Sequence, residues 1–99
     1  MFTVRQTESF HAWLRSLKDG MGQRRIVARL RQITLGNLGD HRSVDDGVAE
    51  LRVNVGPGYR VYFTRRGKVL IFILVGGDKS TQTREIERAK KMAHDLEEA

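Results

Sequence analysis

The chain has 99 residues, a mass of 11.3 kDa and no cysteine, which excludes a long multidomain enzyme, a disulfide scaffold and a Cys-based zinc site. Its 18 Lys and Arg against 12 Asp and Glu give a net charge of +6 and a pI near 10.3, so a polyanion is the first partner to expect. The longest apolar run, residues 69–75, is too short to span a bilayer, and the first residues lack the basic-then-apolar layout of a secretory signal. A cytoplasmic protein without membrane association is therefore expected. The charge is uneven: residues 1–35 carry +5, residues 36–79 carry +2 and residues 80–99 carry −1.

Phe2 and Val4 mark a short first strand. Thr7 is a candidate N-cap with Glu8 in the first helical turn. Phe10, Trp13, Leu14 and Leu17 then recur at helical spacing, and Asp19-Gly20 ends that amphipathic helix. A second helix is predicted from about Met21 to Leu35, with Ile26, Val27, Leu30 and Ile33 inward and Gly36 as an αL C-cap. Arg24, Arg25, Arg29 and Arg31 occupy its other face, either as a solvated surface or as a basic patch.

The segment Gly39-Asp40-His41-Arg42 reads as a loop leading into a sheet. From Gly47 the period changes to two: Ala49, Leu51, Val53 and Val55 alternate with Glu50, Arg52 and Asn54. Gly56-Pro57-Gly58 makes the turn. In the next strand Tyr59, Val61 and Phe63 point inward, and Arg60, Tyr62 and Thr64 point out. Arg65-Arg66-Gly67 connects tightly to residues 69–75, which are apolar throughout and read as a central strand covered on both faces. Gly76-Gly77-Asp78 ends it. A last helix capped by Ser80 or Thr81 buries Ile86, Ala89, Ala93 and Leu96. The order β-α-α-β-β-β-α predicts one α+β domain over residues 1–99, mainly an antiparallel sheet with two N-terminal helices packed on one face.

Alternation places Arg52, Arg60, Tyr62 and Thr64 on one polar sheet face, with cross-strand neighbours about 5 Å apart. Guanidinium groups bind phosphate bidentately and an exposed aromatic ring stacks on an unpaired base. An ion pair between Glu50 and an arginine is the structural alternative. Lys79, between a Gly-Gly-Asp turn and a helix, occupies a natural anion position. The phosphate-loop pattern is not met, because Asp78 stands where glycine must precede the lysine. His11 and His94 read as surface residues, whereas His41 can titrate near neutrality. No metal-ligand spacing or nucleophile elbow is present, so neither metal nor cofactor is expected.

The segments GNLGDHRSVDDGVAELRVNVGPGYRVYF (36–63) and GGDKSTQTREIERAK (76–90) resemble the RelE/ParE toxin superfamily. More narrowly, they look like its HigB-like addiction-module killer branch, over nearly the whole chain. The resemblance implies the RelE-like microbial RNase-toxin fold and the toxin of a type II toxin–antitoxin pair. A helix-turn-helix antitoxin would neutralise it and would cover either the α-helical arginine face or the Arg52/Arg60 sheet face. Operator DNA would be met only through that complex. The implied activity is cleavage of mRNA on the ribosome, by attack of a ribose 2′-OH on the adjacent phosphate. Arg60 then matches the arginine on the scissile phosphate and Lys79 a second cation. Arg52 adds to that clamp, with Arg65, Arg66, Arg24 and Arg25 as further candidate RNA contacts. Residues 80–99 hold no tyrosine, and His94 lies far along the last helix, which leaves Tyr62 and His41 as candidate catalytic groups. The alternatives are a ParE-like poison of DNA gyrase and a non-toxic nucleic-acid-binding corepressor.

Overall fold

Two capping side chains start the N-terminal helices. Thr7 Oγ1 accepts the Phe10 amide at 3.1 Å, and Asp19 Oδ1 accepts the Gly22 amide at 3.0 Å. In the computed structural model, which describes residues 1–98, they open α1 (Glu8–Ser16) and α2 (Gly20–Thr34) after the strand β1 (Thr3–Gln6). Gly36 ends α2 at φ +97°, in the left-handed region expected of it.

Four strands follow: β2 (His41–Asp45), β3 (Val48–Val53), β4 (Tyr59–Arg66) and β5 (Leu70–Asp78). A short 3₁₀ turn (Lys79–Thr81) then leads into α3 (Gln82–Glu98). The protein is an α+β domain with one five-stranded sheet in the order β1-β5-β4-β3-β2. Strands β2 to β5 form an antiparallel meander, and β1 runs parallel to β5.

Strand β2 corrects the loop expected around His41. Asp46 and Gly47 both have positive φ, +48° and +76°, which gives the primed two-residue turn that suits hairpin twist. The sequence hides this strand because β2 is an exposed edge on which only Val44 is partly buried. The last helix begins at Gln82, directly after Thr81, and Asp78 caps the 3₁₀ turn before it: its Oδ1 accepts from the Ser80 amide at 2.8 Å and the Ser80 hydroxyl at 2.5 Å. Those bonds, the hydroxyl first, hold the Asp78 carboxyl below its ordinary value.

On one side of the sheet Phe10, Leu14, Ile26, Leu30 and Ile33 pack against Leu51, Val61, Phe63, Ile71 and Ile73. The polar face expected on the other side is not open. Ala89 and Ala93 of α3 close over Val48, Tyr62, Leu74 and Val75 in a second core, and Tyr62 and Thr64 are buried. The cause is layer packing: α3 has an apolar stripe to cover, and α1 and α2 already fill the opposite face. The register moves from Tyr62–Val75 to Phe63–Ile73, which leaves Leu74 as a bulge. Both Leu74 and Val75 thereby reach the α3 side.

The two glycines beyond the bulge are steric necessities. A Cβ on Gly76 would stand 2.3 Å from Trp13 Cε3 and Cζ3. Gly76→Ala is therefore expected to lose about 1–3 kcal/mol of stability by overpacking. The emission of Trp13, the sole tryptophan, should shift in the same variant as α1 is pushed off the sheet.

Candidate functional site

The sheet register builds the site in two adjacent rows beneath the start of α3. One row runs Arg42, Glu50, Tyr62, Val75, and the next runs Arg52, Arg60, Gly77. Glu50 is fully buried. It accepts from Arg42 Nε at 3.2 Å and from Gln82 Nε2 at 2.9 Å, and Arg60 Nε stands 3.8 Å from the same carboxylate. The ion pair anticipated between Glu50 and an arginine is thus present, with two arginines and an amide from α3. Arg60 also donates from Nη1 to the Tyr59 carbonyl at 3.2 Å, and Arg52 Nη2 donates to Asp40 Oδ1 at 2.9 Å.

Arg52 and Arg60 lie directly opposite each other across β3 and β4. Like charges in that position repel. The Nε atoms of both are buried and make no hydrogen bond among the described residues, Arg60 Nε having only the Glu50 carboxylate at 3.8 Å. Unsatisfied buried donors of this kind cost about 1–3 kcal/mol each. Both lie in the Arg52–Arg60 row, where a negatively charged oxygen would satisfy the donors and relieve the repulsion together. The rim is accessible: the side chains of Arg42 and Arg52 are 54% and 37% exposed, against 8% for Arg60.

Lys79 completes that rim. It is exposed, two residues beyond Gly77, the cross-strand partner of Arg60. Its amide donates to the Gly58 carbonyl at 3.1 Å, and its methylene stem lies against Gly58. The glycine turn therefore fixes where the ammonium emerges. Gly77 itself leaves room for α3, since a Cβ there would stand 2.5 Å from Thr81 Oγ1 and 2.9 Å from Glu85 Cγ.

Of the residues singled out in the sequence, Arg60, Arg52, Tyr62 and Lys79 come together. Tyr62 is buried rather than available to stack on a base. Burial first, then the Glu50 carboxylate, push its hydroxyl well above the ordinary value of 10, so it keeps its proton at neutral pH and is no proton acceptor there. His41 belongs to the opposite face, because its β3 partner is Leu51 and its ring centroid lies 6.3 Å from that of Phe63. Its Nδ1 is 2.8 Å from the Gly39 carbonyl. Arg65 sits over the Phe2 ring at 4.9 Å and donates to Lys68 O. Arg66 donates to Ala93 O at 2.6 Å, about 20 Å along β4 from Arg60 at 3.3 Å per residue. Arg24 and Arg25 are exposed on α2, across the sheet from Arg60.

Arg42 and Gln82 belong to the site although the sequence reading passed over them. A regular Asp46-Gly47 hairpin would put Ser43 opposite Glu50; the irregularity between Ser43 and Asp45 shifts the register and brings Arg42 there instead. Nothing local marks Gln82.

Both tyrosines of the chain are shifted upward, Tyr59 by burial and then by donating to Asp19 Oδ2 at 2.9 Å. No phenolate absorbance is expected near pH 10 while the protein stays folded. Because the folded values lie above the unfolded ones, this stabilisation is complete below about pH 10 and is lost as pH rises through the folded values. A spectrophotometric titration followed beside circular dichroism should show phenolate formation coinciding with unfolding.

No protein-family model matches the chain. It is 44% identical over 93 residues to a protein of Haemophilus influenzae described as "Uncharacterized protein", in an alignment covering 94% of each chain. At that identity and coverage, the chain belongs to the same family as this Haemophilus influenzae protein.

Proposed function

We propose that the chain is the toxin of a type II toxin–antitoxin pair and acts as a ribosome-dependent mRNA endonuclease. The observation that carries this reading is the opposed Arg52–Arg60 pair with both Nε atoms buried and making no hydrogen bond among the described residues. An RNA phosphate entering over Arg42, Arg52 and Lys79 meets guanidinium groups already oriented by Glu50 and Asp40. In the reaction the ribose 2′-oxygen bonds to phosphorus as the bond to the 5′-oxygen breaks; the 2′-hydroxyl proton passes to water and the 5′-oxygen takes one from water, leaving a 2′,3′-cyclic phosphate and a 5′-hydroxyl. Negative charge grows on the phosphoryl oxygens, where fixed cations are most effective. The contribution of this site is accordingly electrostatic, since Tyr62 is locked as a phenol and His41 lies across the sheet. A helix-turn-helix antitoxin neutralises the toxin, and operator DNA is met through that complex.

The test is mRNA integrity in a cell-free translation reaction, mapped by primer extension. Cuts that appear with the wild-type protein only while ribosomes translate support the reading. Intact mRNA at stoichiometric protein overturns it and directs the search to DNA gyrase supercoiling.

A further inference from the structure

Alternation along β4 sends Tyr59 to the α1 and α2 side of the sheet and Arg60 to the α3 side. The Tyr59 side chain is buried and stands edge-on to Trp13, with ring centroids 6.1 Å apart. Its hydroxyl donates to Asp19 Oδ2 at 2.9 Å, while Asp19 Oδ1 holds the Gly22 amide at the start of α2. Each oxygen of that carboxylate is thus committed, one to the helix and one to the sheet 40 residues further along the chain. The charge on the acceptor makes the tyrosine bond stronger than a neutral pair would be.

Two glycines clear the space in which this bond forms. A Cβ on Gly22 would stand 2.4 Å from Tyr59 Cε2, and one on Gly56 would stand 2.9 Å from Asp19 Oδ2. Gly56 opens the turn that closes at Gly58, where the Gly58 amide donates to the Val55 carbonyl at 3.1 Å. The turn is therefore seated against Asp19 at one end and joined to Tyr59 at the other. From there the backbone leads directly to two cations of the site. Tyr59 lies opposite Asp78 in the β4–β5 ladder, and the next residue, Lys79, donates its amide to the Gly58 carbonyl at 3.1 Å. The Tyr59 carbonyl accepts from Arg60 Nη1 at 3.2 Å. Lys79 and Arg60 are thus held by the two peptide groups that flank the Tyr59 Cα, so the seating of this one residue sets both.

We propose that Tyr59 and Asp19 are positioning residues for the cationic site. Their hydrogen bond fixes the Gly56–Gly58 turn from across the sheet and thereby sets where Lys79 stands relative to Arg60. The role in cleavage rests on the nuclease reading, in which those two cations face the scissile phosphate.

The experiment uses the full chain and two variants that break the bond from either end. Tyr59→Phe keeps the ring against Trp13 and removes only the donor. Asp19→Ser keeps a capping oxygen for α2 but is too short to serve the tyrosine as well. Ile33→Val, a core truncation away from the turn, controls for lost stability. Hydrogen exchange followed by NMR should show the Lys79 amide exchanging about tenfold faster in Tyr59→Phe and Asp19→Ser, measured relative to the Phe72 amide within β5. In the translation assay both variants should lower kcat about tenfold and change KM for programmed ribosomes less than about threefold, because displaced cations are missed where charge develops. Ile33→Val should leave kcat and the Lys79-to-Phe72 exchange ratio at the wild-type values. Adding Lys79→Ala to Tyr59→Phe should cost less than the two separate losses combined, since part of the tyrosine's effect runs through Lys79.

An exchange ratio in Tyr59→Phe no greater than in Ile33→Val overturns the proposal. So does full kcat in a Tyr59→Phe protein whose Lys79 amide exchanges faster, or an equal loss of kcat in Tyr59→Phe and Ile33→Val. Intact mRNA with the wild-type protein fails the nuclease reading alone, while the exchange ratio, which needs no RNA, passes or fails the link from Asp19 and Tyr59 to Lys79.

Discussion

Arg60→Ala is expected to lower ribosome-dependent mRNA cleavage by about 10²–10³-fold, the loss typical of removing one oriented donor from a developing oxyanion. Arg60 is the least exposed cation of the cluster and the one whose neighbours fix it most fully: Glu50 beside Nε, the Tyr59 carbonyl on Nη1 and Gly77 across the ladder. Its replacement also leaves Glu50 with only Arg42 and Gln82, so a stability loss of up to about 3 kcal/mol accompanies the activity loss. Arg60→Lys separates the two effects. It keeps the charge near Glu50 but cannot bind phosphate bidentately, so it should hold most of the stability and still lose most of the cleavage. Lys79→Ala, at an exposed position, should reduce cleavage without moving the melting temperature. Full cleavage by folded Arg60→Lys and Arg60→Ala proteins would remove the phosphate clamp from the proposal.

Glu50→Ala carries the largest expected effect on stability, about 3–5 kcal/mol. Among the described residues the carboxylate is the only negative charge in direct reach of the buried Arg60 side chain, and it also receives Arg42 and Gln82. Arg42 is 54% exposed and can turn to water when the carboxylate is gone. Arg60, 8% exposed, cannot. At about 4–8 °C per kcal/mol for a domain of this size, the melting temperature should fall by at least about 12 °C. Glu50→Gln retains an acceptor for Gln82 or Arg42 and should cost less, with the difference measuring the charge alone. Urea unfolding of both variants beside wild type provides the numbers. A loss below about 1 kcal/mol in Glu50→Ala would mean that water already solvates the cluster.

Much of this fold is legible in local pattern. The helical recurrence of Phe10, Trp13, Leu14 and Leu17 and the alternation in residues 49–55 follow from how often a side chain returns to one face. The cap at Thr7 and the left-handed Gly36 are equally local, because each is set by hydrogen bonds or backbone sterics within a few residues, whereas Asp19, read as the end of the first helix, also caps the second. Arg60 and Arg52 could be assigned to one sheet face on alternation alone. Their direct opposition, the lack of a hydrogen bond at either Nε and the burial of Arg60 could not.

Those features depend on α3, whose apolar stripe states that it must pack but not on which face. With α1 and α2 filling one side, it covers the other, and an arrangement that alternation alone reads as a solvated surface becomes a half-buried cationic site. Parity likewise assigned Val27 to the core, but the separation of α1 and α2 leaves it exposed in a groove. The three helices, the strands β1 and β3 to β5, the Thr7 cap and the sheet face of Arg52 and Arg60 follow from sequence alone, because those are set within a few residues of chain. Only the tertiary structure decided that Arg42 and Gln82 join Glu50, that His41 lies across the sheet and that Tyr62 is enclosed. Each of these rests on strand register or helix docking between segments far apart in the chain, where no local periodicity carries the information.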